Sequence, residues 1–255
     1  MRRLFIGYDA WKKQDYLLNK MTLKDLVWAY VTYPGIQTYA ALFIISSALS
    51  LYWMTSAWGV VAASASAILL YPLIWYCLHR FLLHSKYLYR SPLTASLWKR
   101  IHFDHHQYPN DLSVLFGGLQ TTLPTIAFTT GPVGWLISGP SGAMAALATG
   151  IAVTCFYEYC HCTQHLAFEP KSAFLQRIKK LHLAHHYHNE NGNYGITDFF
   201  WDKALGTHYP ELTDMPRSAT VRNLGYTDDV AETYPWVAQM TRGGDDRANA
   251  TNAGA

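Results

Sequence analysis

Residues 39–53 read YAALFIISSALSLYW, a run with no charged side chain, whose polar groups are serine and aromatic ones. A helix on the surface of a soluble domain shows polar residues on its outer face at every turn, and this stretch has no such face. Widening the window strengthens the reading, because residues 31–78 contain no Asp, Glu, Lys or Arg, and neither do residues 113–157. A membrane-spanning helix needs about 20 mostly apolar residues, so each charge-free run has room for two helices and a short turn. The spans fall near 36–55, 57–78, 119–138 and 141–160, with turns at TSAWG and SGPSG. Pro124 and the Gly131-Pro132 pair are expected to kink or break the third span.

The basic residues orient this arrangement. All 20 Lys and Arg lie outside the two runs: in residues 1–30, in 79–112 and after 157. Neither hairpin turn carries one, so the positive-inside rule puts the N-terminus, the middle loop and the C-terminal third on the cytoplasmic side. The expected fold is an all-α integral membrane protein, four transmembrane helices in two hairpins with a cytoplasmic helical cap. It forms one domain over 1–240, followed by a disordered polar tail at 241–255. The N-terminal MRRLFIGYDAWKKQDY does not read as a signal peptide, since Asp9 and Lys12 interrupt its apolar run. The formal charge of +3 is accounted for by cytoplasm-facing Lys and Arg and calls for no nucleic acid. Cys77, Cys155, Cys160 and Cys162 lie in or beside the spans and offer no disulfide framework.

The histidines carry the chemistry. Ten of the twelve sit in four clusters beside the spans: His79 and His84; His102, His105 and His106; His161 and His165; His182, His185 and His186. Residues at i, i+3 and i+4 share one face of an α-helix, so within a triplet the rings are expected to point together. His79 and His84 are five apart, about 140° around a straight helix, and can meet only if the helix ends between them. Ten protonated imidazoles would repel one another, and ten neutral unpaired ones would be costly to bury; a bound cation resolves both problems. A single zinc takes three or four protein ligands, whereas two five- or six-coordinate ions use about ten. Imidazole suits zinc, copper, iron and nickel alike. The HExxH motif of zinc proteases is absent. An iron pair at a membrane surface points to O₂ activation and attack on unactivated lipid C–H bonds.

HRFLLH, HFDHH, HCTQH and HLAHH, in that order and at those intervals, resemble the histidine boxes of the fatty acid hydroxylase/sterol desaturase superfamily of membrane di-iron enzymes. The resemblance runs from about residue 70 to residue 208. Gly195, Trp201, Asp202, Gly206 and Thr207 after the last box look closest to the fatty acid hydroxylase branch. It implies that His79, His84, His102, His105, His106, His161, His165, His182, His185 and His186 are metal ligands. Glu158, one turn before His161, matches an acidic residue often found before the third box, and Asp111 fits the same role: a carboxylate that orients a ligating imidazole. Tyr187, His188, Trp201 and Asp202 fall in the substrate and cap region, and His188 and His208 lie outside the boxes. The implied cofactors are two iron ions with O₂ as co-substrate. The implied activity is hydroxylation of a lipid, most simply a fatty acyl chain, drawn from the bilayer.

Electrons must come from elsewhere, because the chain has no haem domain, Rossmann fingerprint or Cys₄ cluster; a cytochrome b5-like or ferredoxin-type donor is implied. The expected location is the inner membrane of a bacterium or the endoplasmic reticulum of a eukaryote. Desaturation, or oxidation of a sterol or carotenoid, uses the same boxes. A metal transporter places its ligands near the bilayer midplane, and the clusters here lie outside the spans.

Overall fold

The computed structural model describes residues 16–241, which form an all-helical chain. The expectations for the N-terminal MRRLFIGYDAWKKQDY segment, apart from its last residue, and for the polar tail after residue 241 lie outside the described residues.

The first helix, α1 (Leu23–Thr32), starts at a capping box: the Thr22 hydroxyl accepts from the Asp25 N–H, and the Asp25 carboxylate accepts from the Thr22 N–H at 2.9 Å. Such an N-cap contributes about 0.5–2 kcal/mol. Pro34 ends α1 and opens α2 (Pro34–Tyr52), since proline favours the first helical position and disfavours helix before it. α3 (Ala57–Leu78) follows the four-residue loop 53–56 and is capped by Ser56, whose hydroxyl accepts from the Gly59 N–H. Short helices α4 (Pro92–Trp98), α5 (Asp104–Gln107) and α6 (Leu112–Leu115) follow, then the long α7 (Leu119–His165), α8 (Ala173–Tyr187), α9 (Phe200–Ala204) and α10 (Asp228–Thr233).

Three helical stretches, Pro34–Tyr52, Ala57–Leu83 and Leu112–His165, are long and apolar enough to cross a membrane. Large apolar side chains on them face outward, among them Trp58, Leu69, Phe128 and Leu136. Apolar surface on this scale marks contact with lipid or protein.

The helix does not break at Pro124 or Gly131-Pro132. α7 passes through both prolines and breaks at Ser138 and Gly139, the latter with φ 57° and ψ −144°, a conformation open to glycine. Across the break, Gly134 and Gly142 approach so closely that a Cβ on either would lie 2.3 or 2.1 Å from the other's carbonyl oxygen, and Ile126 packs where a Cβ on Gly150 would go. Ser50 on α2 and Ser141 exchange hydroxyl-to-carbonyl bonds of 2.9 Å each, tying α2 to the break.

A second departure concerns His79 and His84. The helix does not end between them. It loosens into a π turn, His79–Leu83, in which the His84 N–H donates to the His79 carbonyl at 3.1 Å. A bond spanning five residues returns the fifth side chain to the starting face. A second π turn, Lys99–Phe103, leads into α5, so His102 precedes the regular helix that carries His105 and His106. Trp98, fully buried, fixes these two turns together by donating its indole N–H to the Leu83 carbonyl at 2.7 Å. Lys179 of α8 caps the end of α7, donating to the carbonyls of Leu166 and Phe168.

Candidate metal centre

The elements above deliver all ten clustered histidines to one place. Nine are buried and His84 is half-buried. Their ligand atoms form two main groups, His79, His84, His102 and His106 in one, and His105, His161, His165, His182 and His186 in the other; His106, His185 and His186 form a third that bridges them. His185 lies with the first group by its ring distances of 4.8 Å to His84 and 4.9 Å to His79. The triplets therefore split. His102 and His106 serve one group while His105 serves the other, and His185 parts from His182 and His186. The expectation that each triplet points to one spot is corrected: the rings share a face but fan out between two centres.

Spacing tests whether an ion fits. Nε2 atoms pair at 3.1 Å (His79 and His84), 2.8 Å (His84 and His102), 3.0 Å (His105 and His161) and 2.9 Å (His165 and His182). Two imidazole nitrogens bound at right angles to one ion, each at about 2.1 Å, lie about 3.0 Å apart. Outward-facing partners fix the tautomer at three rings, because a carbonyl can only accept. His79 Nδ1 donates to the Tyr194 carbonyl (2.6 Å), His185 Nδ1 to that of Gly192 (2.7 Å) and His106 Nδ1 to that of Val221 (3.0 Å). Their Nε2 lone pairs therefore face the cluster. The Nε2 atoms of His106 and His185 are buried with no hydrogen-bond partner among the described residues, an arrangement that costs about 1–3 kcal/mol per group unless something binds there. The residues present fit metal ions.

Burial also sets the protonation state. It holds His84, His102, His105, His106, His182 and His186 well below the usual imidazole range, with neighbouring imidazoles adding to the effect. His185 is lowered to about 4 by burial. Neutral imidazole is the form that binds metal, so the site is ready for an ion without first shedding protons.

The two carboxylates expected to orient imidazoles do other things. Asp111 caps α6, accepting from the Ser113 N–H at 2.8 Å, and no bond to a histidine is found among the described residues. Glu158 accepts from the Gly117 N–H at 3.0 Å, and its Oε2 has no hydrogen-bond partner among the described residues. At His79, His106 and His185, main-chain carbonyls take the place expected for a carboxylate.

In the cap region, Tyr187 is exposed with the Arg222 guanidinium 5.4 Å over its ring, and Trp201 packs edge-on against Phe200. His188 bonds the Met215 carbonyl at 2.8 Å. His188 and His208 belong to none of the ligand groups. Asp202 is fully buried, not part of a substrate-facing surface: it accepts from the N–H groups of Tyr194 and Gly195 and from the Thr207 hydroxyl, all at 2.8 Å. It thereby fixes Tyr194, whose carbonyl holds His79. Gly192 is needed for close approach, since a Cβ there would lie 2.5 Å from the Thr207 carbonyl oxygen. No side-chain pattern announces a carbonyl partner, so sequence reasoning missed Tyr194, Gly192 and Val221.

A cavity of about 340 Å³ runs from the cluster into the apolar helices. His79, His105, His161 and His186 line one part of it, and Tyr71, Ile74 and Leu78 of α3 with Thr125, Ile126 and Thr129 of α7 line another.

The model of the family described as fatty acid hydroxylase matches residues 64–207. The ceramide very long chain fatty acid hydroxylase of Saccharomyces cerevisiae is 31% identical over 55% of this chain and 36% of its own length. A dihydroceramide fatty acyl 2-hydroxylase of Arabidopsis thaliana is 32% identical over 56% of this chain and 59% of its own. The fatty acid 2-hydroxylase of Rattus norvegicus is 29% identical over 58% and 39%. The chain thus matches between about a third and three fifths of the length of these curated relatives. A solved structure of full-length scs7p, with only the hydroxylase domain visible, superposes with a TM-score of 0.61 at 26% identity, covering 72% of this chain and 68% of that one.

Proposed function

This chain belongs to the fatty acid hydroxylase family, and from that premise we propose that it is a membrane-embedded di-iron hydroxylase acting on a fatty acyl chain of a lipid. The observation that carries the reading is the pair of histidine groups meeting one end of a cavity whose other walls are apolar helices. His79, His84, His102, His106 and His185 would hold one iron, and His105, His161, His165, His182 and His186 the other. When bound, the metal pair supplies the activation of O₂ that oxidises an unactivated C–H bond. The chain's own part is to bind and to exclude water: Ile74, Leu78 and Ile126 give the acyl chain an apolar path, and the histidines at its end receive the carbon to be oxidised. Hydrogen bonds from His79, His106 and His185 to main-chain carbonyls keep those rings aimed inward.

The same reading extends to topology. The glycine break at 138–139 and the close pairing of Gly134 with Gly142 support two crossings within α7, giving four spans in two hairpins, the histidine boxes on a cytoplasmic cap and a single domain over residues 1–240. The substrate enters from the bilayer, and electrons come from a separate donor of the cytochrome b5 or ferredoxin kind. The location is the inner membrane if the source is bacterial and the endoplasmic reticulum if eukaryotic. Hydroxylation is preferred over desaturation or sterol and carotenoid oxidation because the relatives are named as fatty acyl hydroxylases.

The test is mass spectrometry of lipids from cells with and without the gene. A gain of one oxygen atom on an acyl chain, present only with the gene and lost on His105→Ala, is expected. A loss of two hydrogens instead, or a change confined to sterols, would overturn the assignment.

A further inference from the structure

The family match ends at residue 207, yet the chain then returns across the histidine cluster as a strap over residues 215–222. Three consecutive residues after the fourth box hold its first half. His188 bonds the Met215 carbonyl and accepts on its own carbonyl from the Ser218 N–H, each at 2.8 Å, and Asn189 donates its amide to the Pro216 carbonyl at 2.8 Å. Glu190 then accepts on Oε1 from the Ser218 hydroxyl (2.9 Å) and the Thr220 hydroxyl (2.5 Å). At the other end, Gln107 donates its amide to the Arg222 carbonyl at 2.5 Å, and the Arg222 guanidinium donates back to the Gln107 carbonyl. Between these anchors sits Val221, whose carbonyl accepts from His106 Nδ1 at 3.0 Å.

We propose that Glu190 is a positioning residue for His106, acting through the strap. Glu190 is only 4% exposed, and a buried carboxylate is costly unless hydrogen bonds repay the lost water. Among the described residues, the side-chain hydrogen bonds of Glu190 are the two strap hydroxyls on Oε1, and Oε2 has no partner, so the strap supplies what compensation the carboxylate has. Fixing Ser218 and Thr220 fixes the direction in which the next residue, Val221, presents its carbonyl. That carbonyl keeps the proton of His106 on Nδ1 and turns Nε2 toward the cluster. His106 belongs to both the first group and the bridging one, so a loosened strap disturbs the junction between the two centres. This inference rests on the reading of the histidines as metal ligands.

The full chain, purified with its iron, is challenged with a graded chelator, and retained iron is measured for wild type, Glu190→Ala, Glu190→Gln, the pair Ser218→Ala with Thr220→Val, and the exposed strap control Arg217→Ala. Losing a group that orients a ligand lowers metal affinity by about 10- to 100-fold, and that is expected for Glu190→Ala and for the Ser/Thr pair at unchanged helix content. Glu190→Gln, which keeps an oxygen for both hydroxyls, retains most of the affinity, and Arg217→Ala matches wild type. Iron retention equal to wild type in the Ser/Thr pair overturns the inference even if Glu190→Ala fails to fold, and so does an equal loss in Arg217→Ala. A wild-type chain that holds no iron instead sinks the underlying metal reading.

Discussion

The two histidine groups hold their rings in different ways. In the group of His79, His84, His102, His106 and His185, three rings, His79, His106 and His185, donate their outer nitrogens to the carbonyls of Tyr194, Val221 and Gly192, all in the irregular chain after α8. In the other, His105, His165, His182 and His186 have no hydrogen-bond partner for Nδ1 among the described residues. His161, His165, His182 and His186 ride on α7 and α8. One group is aimed by hydrogen bonds from loops, and the other by the stiffness and packing of two helices. An imidazole that donates its outer N–H is a more basic and better oriented ligand, but it depends on everything that holds the loop. The rings of the second group are placed by the helices that carry them, α5, α7 and α8.

The largest expected effect removes a ligand from either group. His182→Ala or His84→Ala takes away a nitrogen that sits about one ligand-pair distance from its neighbour, so product formation should fall to background and retained iron should drop. Elemental analysis beside an activity assay checks both. If the difference between the groups is real, the next effect is confined to one of them. Asp202→Ala frees the N–H groups of Tyr194 and Gly195 and should weaken binding at the loop-aimed centre by about 10- to 100-fold. Chelator titration should then become biphasic, one ion leaving early and the other as in wild type. Loss of both ions together would erase the distinction between the groups. The smallest effect belongs to a carboxylate that touches neither group: Asp111→Ala removes the cap of α6, worth about 1 kcal/mol of stability, with iron retention unchanged. Thermal unfolding in detergent and metal analysis of the same sample measure the two quantities.

Much of this was readable in the residues. The charge-free runs announced helices for a membrane, and helical spacing of eight of the ten clustered histidines announced a shared face, because both signals live in side chains. What the sequence did not carry lives in the backbone. Pro124 and Pro132 looked like breakers, yet the chain turns at Gly139, where a left-handed φ decides the matter. His79 and His84 looked too far apart in angle until a π turn closed the gap. Asp111 and Glu158 were the natural candidates for holding imidazoles because only side chains can be read as partners. Carbonyls of Tyr194, Gly192 and Val221 do that work, and since every residue carries a carbonyl, the sequence does not mark which one will accept.

Whether the ten histidines form two centres or one is tested most directly by counting bound ions. The full chain, expressed with ample iron and purified gently, should carry two ions per chain by elemental analysis against quantitative amino-acid analysis. A reproducible value of one or less would contradict two centres.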